Sequence, residues 1–167
     1  MQIVVTLDEY ELAHAAMAGC QRRIASIKKH RPQVYGAGDR KNYWQIDIVG
    51  MIAEYAVAKA FNKHWQPATN QRLADLPGDV DTFQVRSTEH LNGHLFLHPG
   101  DKVADYILCV VADNKVLLAG WIDWLSGSMV GEMKSPDTWW VRQDQLYGFD
   151  RWPTPVLFSE SVKAKLN

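Results

Sequence analysis

The chain has 167 residues, a formal net charge of −1, and ordinary globular proportions of hydrophobic (47%) and charged (22%) residues. This length is typical of one domain that can bury a real core. A net charge so close to zero excludes a protein that binds polyanions over its whole surface. No stretch approaches the roughly 20 apolar residues that a membrane-spanning helix needs, so we expect no membrane association.

The first residues and the cysteines predict a cytoplasmic protein. Residues 1–6 have neither the basic region nor the apolar run of a secretion signal. Cys20 and Cys109 are too few for a disulfide framework and lie in apolar surroundings. We therefore expect two reduced, buried thiols.

The start of the chain predicts a strand followed by a long helix. Residues 3–5 suit a short strand, and Thr6 and Glu9 have the spacing of a helix-capping box. Apolar residues then recur at spacings of three and four, which predicts a helix over residues 7–29 with one apolar stripe. The stripe consists of Tyr10, Ala13, Met17, Cys20, Ile24 and Ile27.

A local basic segment lies between Cys20 and Tyr43, where Asp39 is the single acid. A nucleic-acid-binding protein of near-neutral total charge concentrates its cations beside the binding site, so this segment is a candidate contact to a DNA backbone. A solvated helix end followed by a polar loop accounts for the same charges equally well. The cations are Arg22, Arg23, Lys28, Lys29, Arg31, Arg40 and Lys41.

Residues 42–61 predict a second helix that is apolar on nearly every side and hence largely buried. Two acids interrupt it, Asp47 and Glu54, and a separation of seven residues places both on one face. A buried carboxylate is costly unless it is paired with a cation or bound to a metal. Glu54 is therefore a candidate functional residue, with pairing to a core arginine as the alternative.

The rest of the chain has the two-residue period of β-strands. Gln84 and Arg86 alternate with Phe83 and Val85, and further strands are predicted at residues 94–98, 104–111, 116–121 and 139–141. Two helices followed by these strands predict an α/β fold of the α+β kind, with a central mixed, mainly antiparallel sheet flanked by helices. We divide this single domain (residues 1–167) into three parts: 1–43, the N-terminal helix and basic loop; 44–125, the core; and 126–167, a C-terminal extension.

The strongest chemical pattern joins the helix acid to the first of these strands. Asp79 precedes the strand, and Gln84 and Arg86 lie on one face of it. Two oxygen donors suit Mg²⁺, to which Glu54 would add a ligand, and a nearby cation stabilises charge on a phosphate. The alternative is structural: Asp79 caps a turn, and Gln84 and Arg86 form the exposed face of an edge strand.

Three segments carry a family resemblance: residues 50–54 (G-M-I-A-E), 79–88 (D-V-D-T-F-Q-V-R-S-T) and 120–122 (G-W-I). A helix acid, an Asp before a strand, and [E/Q]-x-[K/R] along that strand resemble the restriction-endonuclease-like nucleases of the PD-(D/E)XK superfamily. The segments also resemble a group of small phage and bacterial proteins with the same three motifs. The resemblance spans about residues 50–123 and implies the restriction-endonuclease-like fold.

The resemblance implies a Mg²⁺- or Mn²⁺-dependent DNA phosphodiesterase, a hydrolase. Asp79 and Gln84 are then metal ligands, the carbonyl of Val85 completes the site, and Glu54 matches the helix acid. Arg86 stands where the family usually has lysine. Because arginine stays protonated, Arg86 can stabilise charge but cannot act as a base.

Other hypotheses stay open at this point. Asp81, two residues from Asp79, is an alternative ligand. Gln84 in place of a carboxylate, together with Arg86, favours a catalytically inactive member of the fold that binds nucleic acid or a protein partner, for instance in phage–host interplay. Because many nucleases of this kind work as dimers, a homodimer is a further expectation. A third hypothesis is an interaction protein that uses the C-terminal indoles Trp139, Trp140 and Trp152.

Overall fold

The computed structural model describes residues 1–29, 42–67, 69, 78–135 and 137–151. Two short 3-10 turns, Gln143–Gln145 and Phe149–Arg151, follow the last described strand. No helix within these residues is long and apolar enough to cross a membrane. The elements in chain order are β1 (Ile3–Thr6), α1 (Glu9–Lys28), α2 (Tyr43–Ala60), β2 (Phe83–Thr88), β3 (Leu95–Leu97), β4 (Asp105–Ala112), β5 (Lys115–Asp123), α3 (Trp124–Val130), β6 (Glu132–Ser135) and β7 (Thr138–Val141).

The described strands form two sheets. The main sheet has four strands in the order β1-β5-β4-β2, and the second has three in the order β3-β7-β6. Neighbouring strands are antiparallel except β2 and β4, which run parallel. The prediction of a mixed α+β fold with a mainly antiparallel central sheet is therefore confirmed. The second sheet was not predicted.

The main sheet is covered by helices on one face and partly by the second sheet on the other. On one face a core cluster joins α2 to the sheet, with Val57, Val85 and Ile107 among its buried members. On the other face a second cluster joins Tyr106 of β4 to Leu97 of β3. Helices α1 and α2 thus flank one face, whereas strands of the second sheet cover part of the other. This double coverage explains why nearly every residue of β4 is buried.

Helix α1 begins two residues later than the sequence predicted. Asp8 is its N-cap and accepts hydrogen bonds from the backbone N–H groups of Tyr10 and Glu11, while the Glu11 carboxylate accepts from the Asp8 N–H. A capping box of Asp8 and Glu11 therefore replaces the predicted box of Thr6 and Glu9. The reason is that Thr6 is the last residue of β1, paired with β5.

The apolar stripe predicted on α1 does not face the core. The helix instead buries Ala15, Ala18 and Gly19. These small residues allow α1 and α2 to pack closely: a Cβ on Gly19 would lie 2.5 Å from the Cα of Ile48 on α2. The larger side chains of the stripe are between 45% and 78% exposed; they are Tyr10, Met17, Ile24 and Ile27.

Candidate functional site

Glu54 lies in the buried part of α2, where its side chain is only 4% exposed. The guanidinium of Arg22 on α1 reaches it, with 2.6 Å between Arg22 Nη2 and Glu54 Oε1. The structure thus contains the arginine pairing that the sequence left open as an alternative to metal binding. The pair occupies one carboxylate oxygen of Glu54 and leaves Oε2 to be accounted for.

A second ion pair links the same two helices. Arg23 Nε lies 3.2 Å from Asp47 Oδ2, and Arg23 is only 5% exposed. The Arg23 guanidinium also lies over the ring of Tyr43, 5.3 Å from its centroid. The two acids of α2 therefore share one face, as their spacing predicted, and that face is turned toward α1. Burial raises the pKa of Asp47, and the neighbouring arginines oppose the rise.

The electrostatics of Glu54 are unusual for a carboxylate. Burial raises its pKa to about 7; Arg22 opposes this rise, and the charge of Asp79 adds to it. The Oε2 oxygen is buried and makes no hydrogen bond of regular geometry. The indole N–H of Trp65 is close enough to lower the pKa of Glu54, although its Nε1 also lacks a regular hydrogen bond. Glu54 therefore keeps an oxygen with spare acceptor capacity close to Asp79 and Trp65.

Among the described strands β2 is an end strand of the main sheet, and Asp79 lies at its outer edge. Its Oδ2 accepts a hydrogen bond of 2.8 Å from the Val85 N–H, and its own N–H donates to the Phe83 carbonyl at 2.7 Å. These bonds bring the backbone of residues 78 and 79 close to Phe83. Glycine is needed at position 78, since a Cβ there would lie 2.5 Å from the Phe83 oxygen. Asp79 thus caps a turn. In a strand, the N–H and C=O of one residue point to the same side, which puts the Val85 carbonyl on this edge as well.

Gln84 and Arg86 lie on the opposite face of β2 from α2. Phe83 and Val85 belong to the core cluster on the helix side, and side chains alternate along a strand. Gln84 is 8% exposed and is paired in register with Tyr106, which belongs to the second core cluster. The structural alternative, in which Gln84 lies on an exposed strand face, is therefore wrong for Gln84, because this part of the far side of the main sheet is also covered.

Arg86 is held on that far side by two contacts. Its Nη2 lies 3.1 Å from Asp101 Oδ1, and its guanidinium lies over the Tyr106 ring, 5.1 Å from the centroid. The charge of Asp79 also contributes to raising the pKa of Tyr106, behind burial and Asp101. The charge of Asp79 therefore raises the pKa of a group on each face of the sheet: Glu54 on the helix side and Tyr106 on the other.

The structure places Glu54 on the helix side of the sheet and the side chains of Gln84 and Arg86 on the other side, while Asp79 lies at the edge beside the Val85 backbone and interacts electrostatically with both sides. Across the described residues, no group of three or more His, Cys, Asp or Glu side chains is arranged to hold a metal ion. Asp81, the alternative ligand, is exposed and pairs with Lys63 at 2.8 Å.

The predicted basic segment is divided by the structure. Arg22 and Arg23 face α2 and pair with its acids, so in this conformation the buried Arg23 offers no surface to a phosphate. Lys28 and Lys29 are exposed at the end of α1. The remaining members, Arg31, Arg40 and Lys41, lie outside the described residues.

The C-terminal indoles are only partly exposed where they are described. Trp139 packs edge-to-face against Trp124, and Trp140 packs against Phe96 with ring centroids 4.7 Å apart. Both indoles are half-buried on β7. Trp152, the third member of the predicted interaction surface, lies outside the described residues.

A cleft that the sequence did not reveal lies at the C-terminal end of α2. It measures about 350 Å³, and its walls include His14, Tyr55, Lys59, Lys63, His64 and Trp65. In the sequence, the only indication of this cleft was the four-residue spacing of Lys59 and Lys63, followed by His64 and Trp65. This pattern could not predict the whole cleft, because His14 in its wall belongs to α1.

In comparisons with known proteins, no family model, no curated protein and no solved structure matches this chain. The resemblance to PD-(D/E)XK nucleases therefore remains a prediction.

Proposed function

We propose that the chain is a metal-dependent phosphodiesterase acting on DNA, with Glu54, Asp79 and the Val85 carbonyl as the core of a metal site. One observation carries the proposal: Glu54 Oε2 is buried without a regular hydrogen bond while the Asp79 charge acts on the same carboxylate. Two carboxylates that repel each other favour a divalent cation that takes oxygen ligands, here with Glu54 Oε2 as an acceptor beside the Trp65 indole.

Gln84 enters the proposed ligand set from the other side of the sheet edge. Asp79 acts on both Glu54 and Tyr106, and Gln84 is the register partner of Tyr106. Gln84 is the weaker ligand of the set, because it is neutral and lies across the strand from Glu54.

The chain's own residues prepare this site for a phosphate. A bound Mg²⁺ or Mn²⁺ would supply Lewis-acid stabilisation and a more acidic water. Arg22 lowers the pKa of Glu54 and so favours the ionised form that binds a cation. The Val85 N–H fixes the Asp79 carboxylate against the strand edge. Arg86 lies on the other face of the sheet, where it pairs with Asp101, and it cannot act as a base.

The test compares two neighbouring aspartates. Asp79→Asn keeps an oxygen to accept the Val85 N–H but removes the charge, whereas Asp81→Asn removes a charge from the same turn that is paired with Lys63. We expect Asp79→Asn to abolish DNA cleavage in Mg²⁺ or Mn²⁺ and to weaken Mn²⁺ binding in calorimetry, and Asp81→Asn to retain both. Cleavage by Asp79→Asn at the wild-type rate would exclude the site.

A catalytically inactive binding module is the second candidate, and a specific contact favours it. Arg22 already neutralises Glu54 at 2.6 Å, which reduces the negative charge left to hold a cation. This module would bind DNA at low salt but would neither bind Mn²⁺ nor cleave. Calorimetry with Mn²⁺, together with a DNA-binding assay on the same preparation, distinguishes the two candidates.

A further inference from the structure

We infer that the cleft at the C-terminal end of α2 binds one unpaired nucleotide of a DNA strand, next to the proposed metal site. The inference rests on the proposed function for the expectation that the ligand is DNA. The cleft itself is defined by the six side chains named above and by its volume of about 350 Å³. That volume lies at the lower end of ligand pockets and suits a single nucleotide, whereas a duplex is too wide to enter it.

The end of α2 builds the cleft. Phe61 is the C-cap, and Asn62 follows with a φ of 51°, the left-handed conformation that asparagine tolerates better than most residues. The Lys63 N–H donates to the Ala58 carbonyl at 2.8 Å, and the Asn62 N–H donates to the Lys59 carbonyl at 3.3 Å. This Schellman-type pair of bonds reverses the chain, so the residues after the helix return along its last turns and form a wall.

One side of the cleft is aromatic. Tyr55 and Trp65 meet edge-to-face with ring centroids 4.9 Å apart, and His14 meets them at 5.9 Å and 5.3 Å respectively. Trp65 and Tyr55 are half-buried, and His14 is exposed. Aromatic side chains that hold one another in place form a rigid surface for a nucleobase, which every base can use because every base has a π-face.

The other side of the cleft is basic. Lys59 and Lys63 line it, and among the described lining residues there is no carboxylate. Lys59 is paired with Glu11 at 2.6 Å and Lys63 with Asp81 at 2.8 Å, but both lysine side chains are at least 30% exposed. Both pairs are partly exposed, and a phosphate in the cleft would compete with the carboxylate partner of each lysine. The lysines also lie near the negative end of the helix dipole, which offsets their charge only in part.

The cleft adjoins the proposed metal site at two points. Trp65 lines the cleft and also acts on the Glu54 carboxylate. Lys63 lines the cleft and pairs with Asp81, two residues from Asp79. A nucleotide in the cleft would therefore place a neighbouring phosphate toward Glu54 and Asp79. The combination of an aromatic wall and a cationic wall matches the way single strands are bound.

The experiment measures binding of labelled oligothymidylate in EDTA as a function of salt, with duplex DNA of the same length for comparison. Trp65→Leu should weaken single-strand binding about tenfold without changing the salt slope, because it removes one stacked base. Lys63→Gln should lower the slope of log K against log salt by about 0.7, because it removes one phosphate contact. The matched control is Lys134→Gln on β6, in the second sheet, which should change neither quantity.

Several results would overturn the inference: wild-type affinity in Trp65→Leu, a wild-type salt slope in Lys63→Gln, or duplex bound as tightly as single strand. Thermal unfolding of each variant confirms that its fold is retained. Because EDTA removes metal, the assay is independent of cleavage. Loss of cleavage in Asp79→Asn with intact single-strand binding supports both proposals. If the wild-type protein binds single-stranded DNA but never cleaves DNA, the result supports the nucleotide cleft and not the metal site. If the protein cleaves DNA but Trp65→Leu and Lys63→Gln bind as wild type does, the result refutes the cleft and not the metal site.

Discussion

The Arg22 guanidinium of α1 lies 2.6 Å from the Glu54 carboxylate of α2, in a position where Glu54 is almost completely buried. This contact ties together the two helices that cover one face of the main sheet. Burial still outweighs Arg22 and raises the pKa of Glu54 to about 7. The carboxyl group therefore changes charge near neutral pH, and both the stability and the proposed metal site depend on its protonation.

Wild-type stability should fall as the pH rises from about 4.5 to about 7. Glu54 has its ordinary pKa of 4.5 in the unfolded chain and a raised one in the fold, so the folded protein binds more protons in this window. The free energy of unfolding should therefore drop by about 3 kcal/mol relative to Glu54→Gln, which cannot titrate. Urea unfolding at several pH values measures this difference. Parallel pH profiles for wild type and Glu54→Gln would contradict it, and Glu132→Gln on the exposed strand β6 serves as the control.

Removing Arg22 should destabilise the protein most at alkaline pH. Arg22→Leu leaves a buried carboxylate without its cation, and because Glu54 can take up a proton, the pH-dependent cost at pH 8 is limited to about 1.4 kcal/mol. The cost should shrink at pH 5, where Glu54 is protonated. The double variant Arg22→Leu/Glu54→Leu should recover most of the loss. Arg142→Gln is the control, because its pair with Asp144 is exposed and should matter little; an equal effect of Arg22→Leu at both pH values would disprove the argument.

Two glycines in the helix pair should respond in opposite directions to alanine. A Cβ on Gly19 would lie 2.5 Å from the Ile48 backbone, so Gly19→Ala should push α1 and α2 apart and destabilise by about 2 kcal/mol. Among the described residues, a Cβ on Gly50 would meet only Arg22 Nη1, at 3.5 Å, so Gly50→Ala should stabilise by about 0.5–1 kcal/mol through better helix propensity. Chemical denaturation of both variants gives the comparison. Equal destabilisation by the two would mean that the close approach is not the cause.

Asn62 should tolerate glycine better than alanine. Its φ of 51° costs a residue with a Cβ roughly 1 kcal/mol, a penalty that asparagine reduces and glycine avoids. Asn62→Ala should therefore lower the free energy of unfolding by about 1 kcal/mol, while Asn62→Gly should leave it nearly unchanged. Because the same turn forms the wall of the cleft, Asn62→Ala should also weaken oligothymidylate binding. Identical stabilities of the two variants would show that the helix end is not held in this conformation.

Local sequence was sufficient for the second helix and its acids. The predicted helix over residues 42–61 agrees with α2 at Tyr43–Ala60, and Asn42 and Phe61 are its caps. The seven-residue spacing placed Asp47 and Glu54 on one face, and both meet arginines of α1 there. Such predictions succeed because helix periodicity and capping depend on neighbours along the chain.

Long-range packing explains what the sequence did not reveal. The apolar stripe of α1 suggested a core-facing side, but the helix turns its small residues inward because Gly19 lets α2 approach closely. The sequence correctly predicted the alternation of side chains along β2. Gln84 is nevertheless buried, because the second core cluster covers that face of the strand. Neither outcome can be predicted from a local sequence pattern. Each depends on which element packs on which face.

The sequence by itself determined that Glu54 would be a buried helix acid in need of a partner, and that Asp79 would lie shortly before a strand. Only the tertiary structure decided that Arg22 is the partner and that Asp79 lies close enough to act on the same carboxyl group. It also decided that Trp65 and Lys63 return beside α2 to form a cleft. The physical reason is that burial and spacing follow from the local chain, whereas electrostatic coupling depends on distances between elements far apart in sequence.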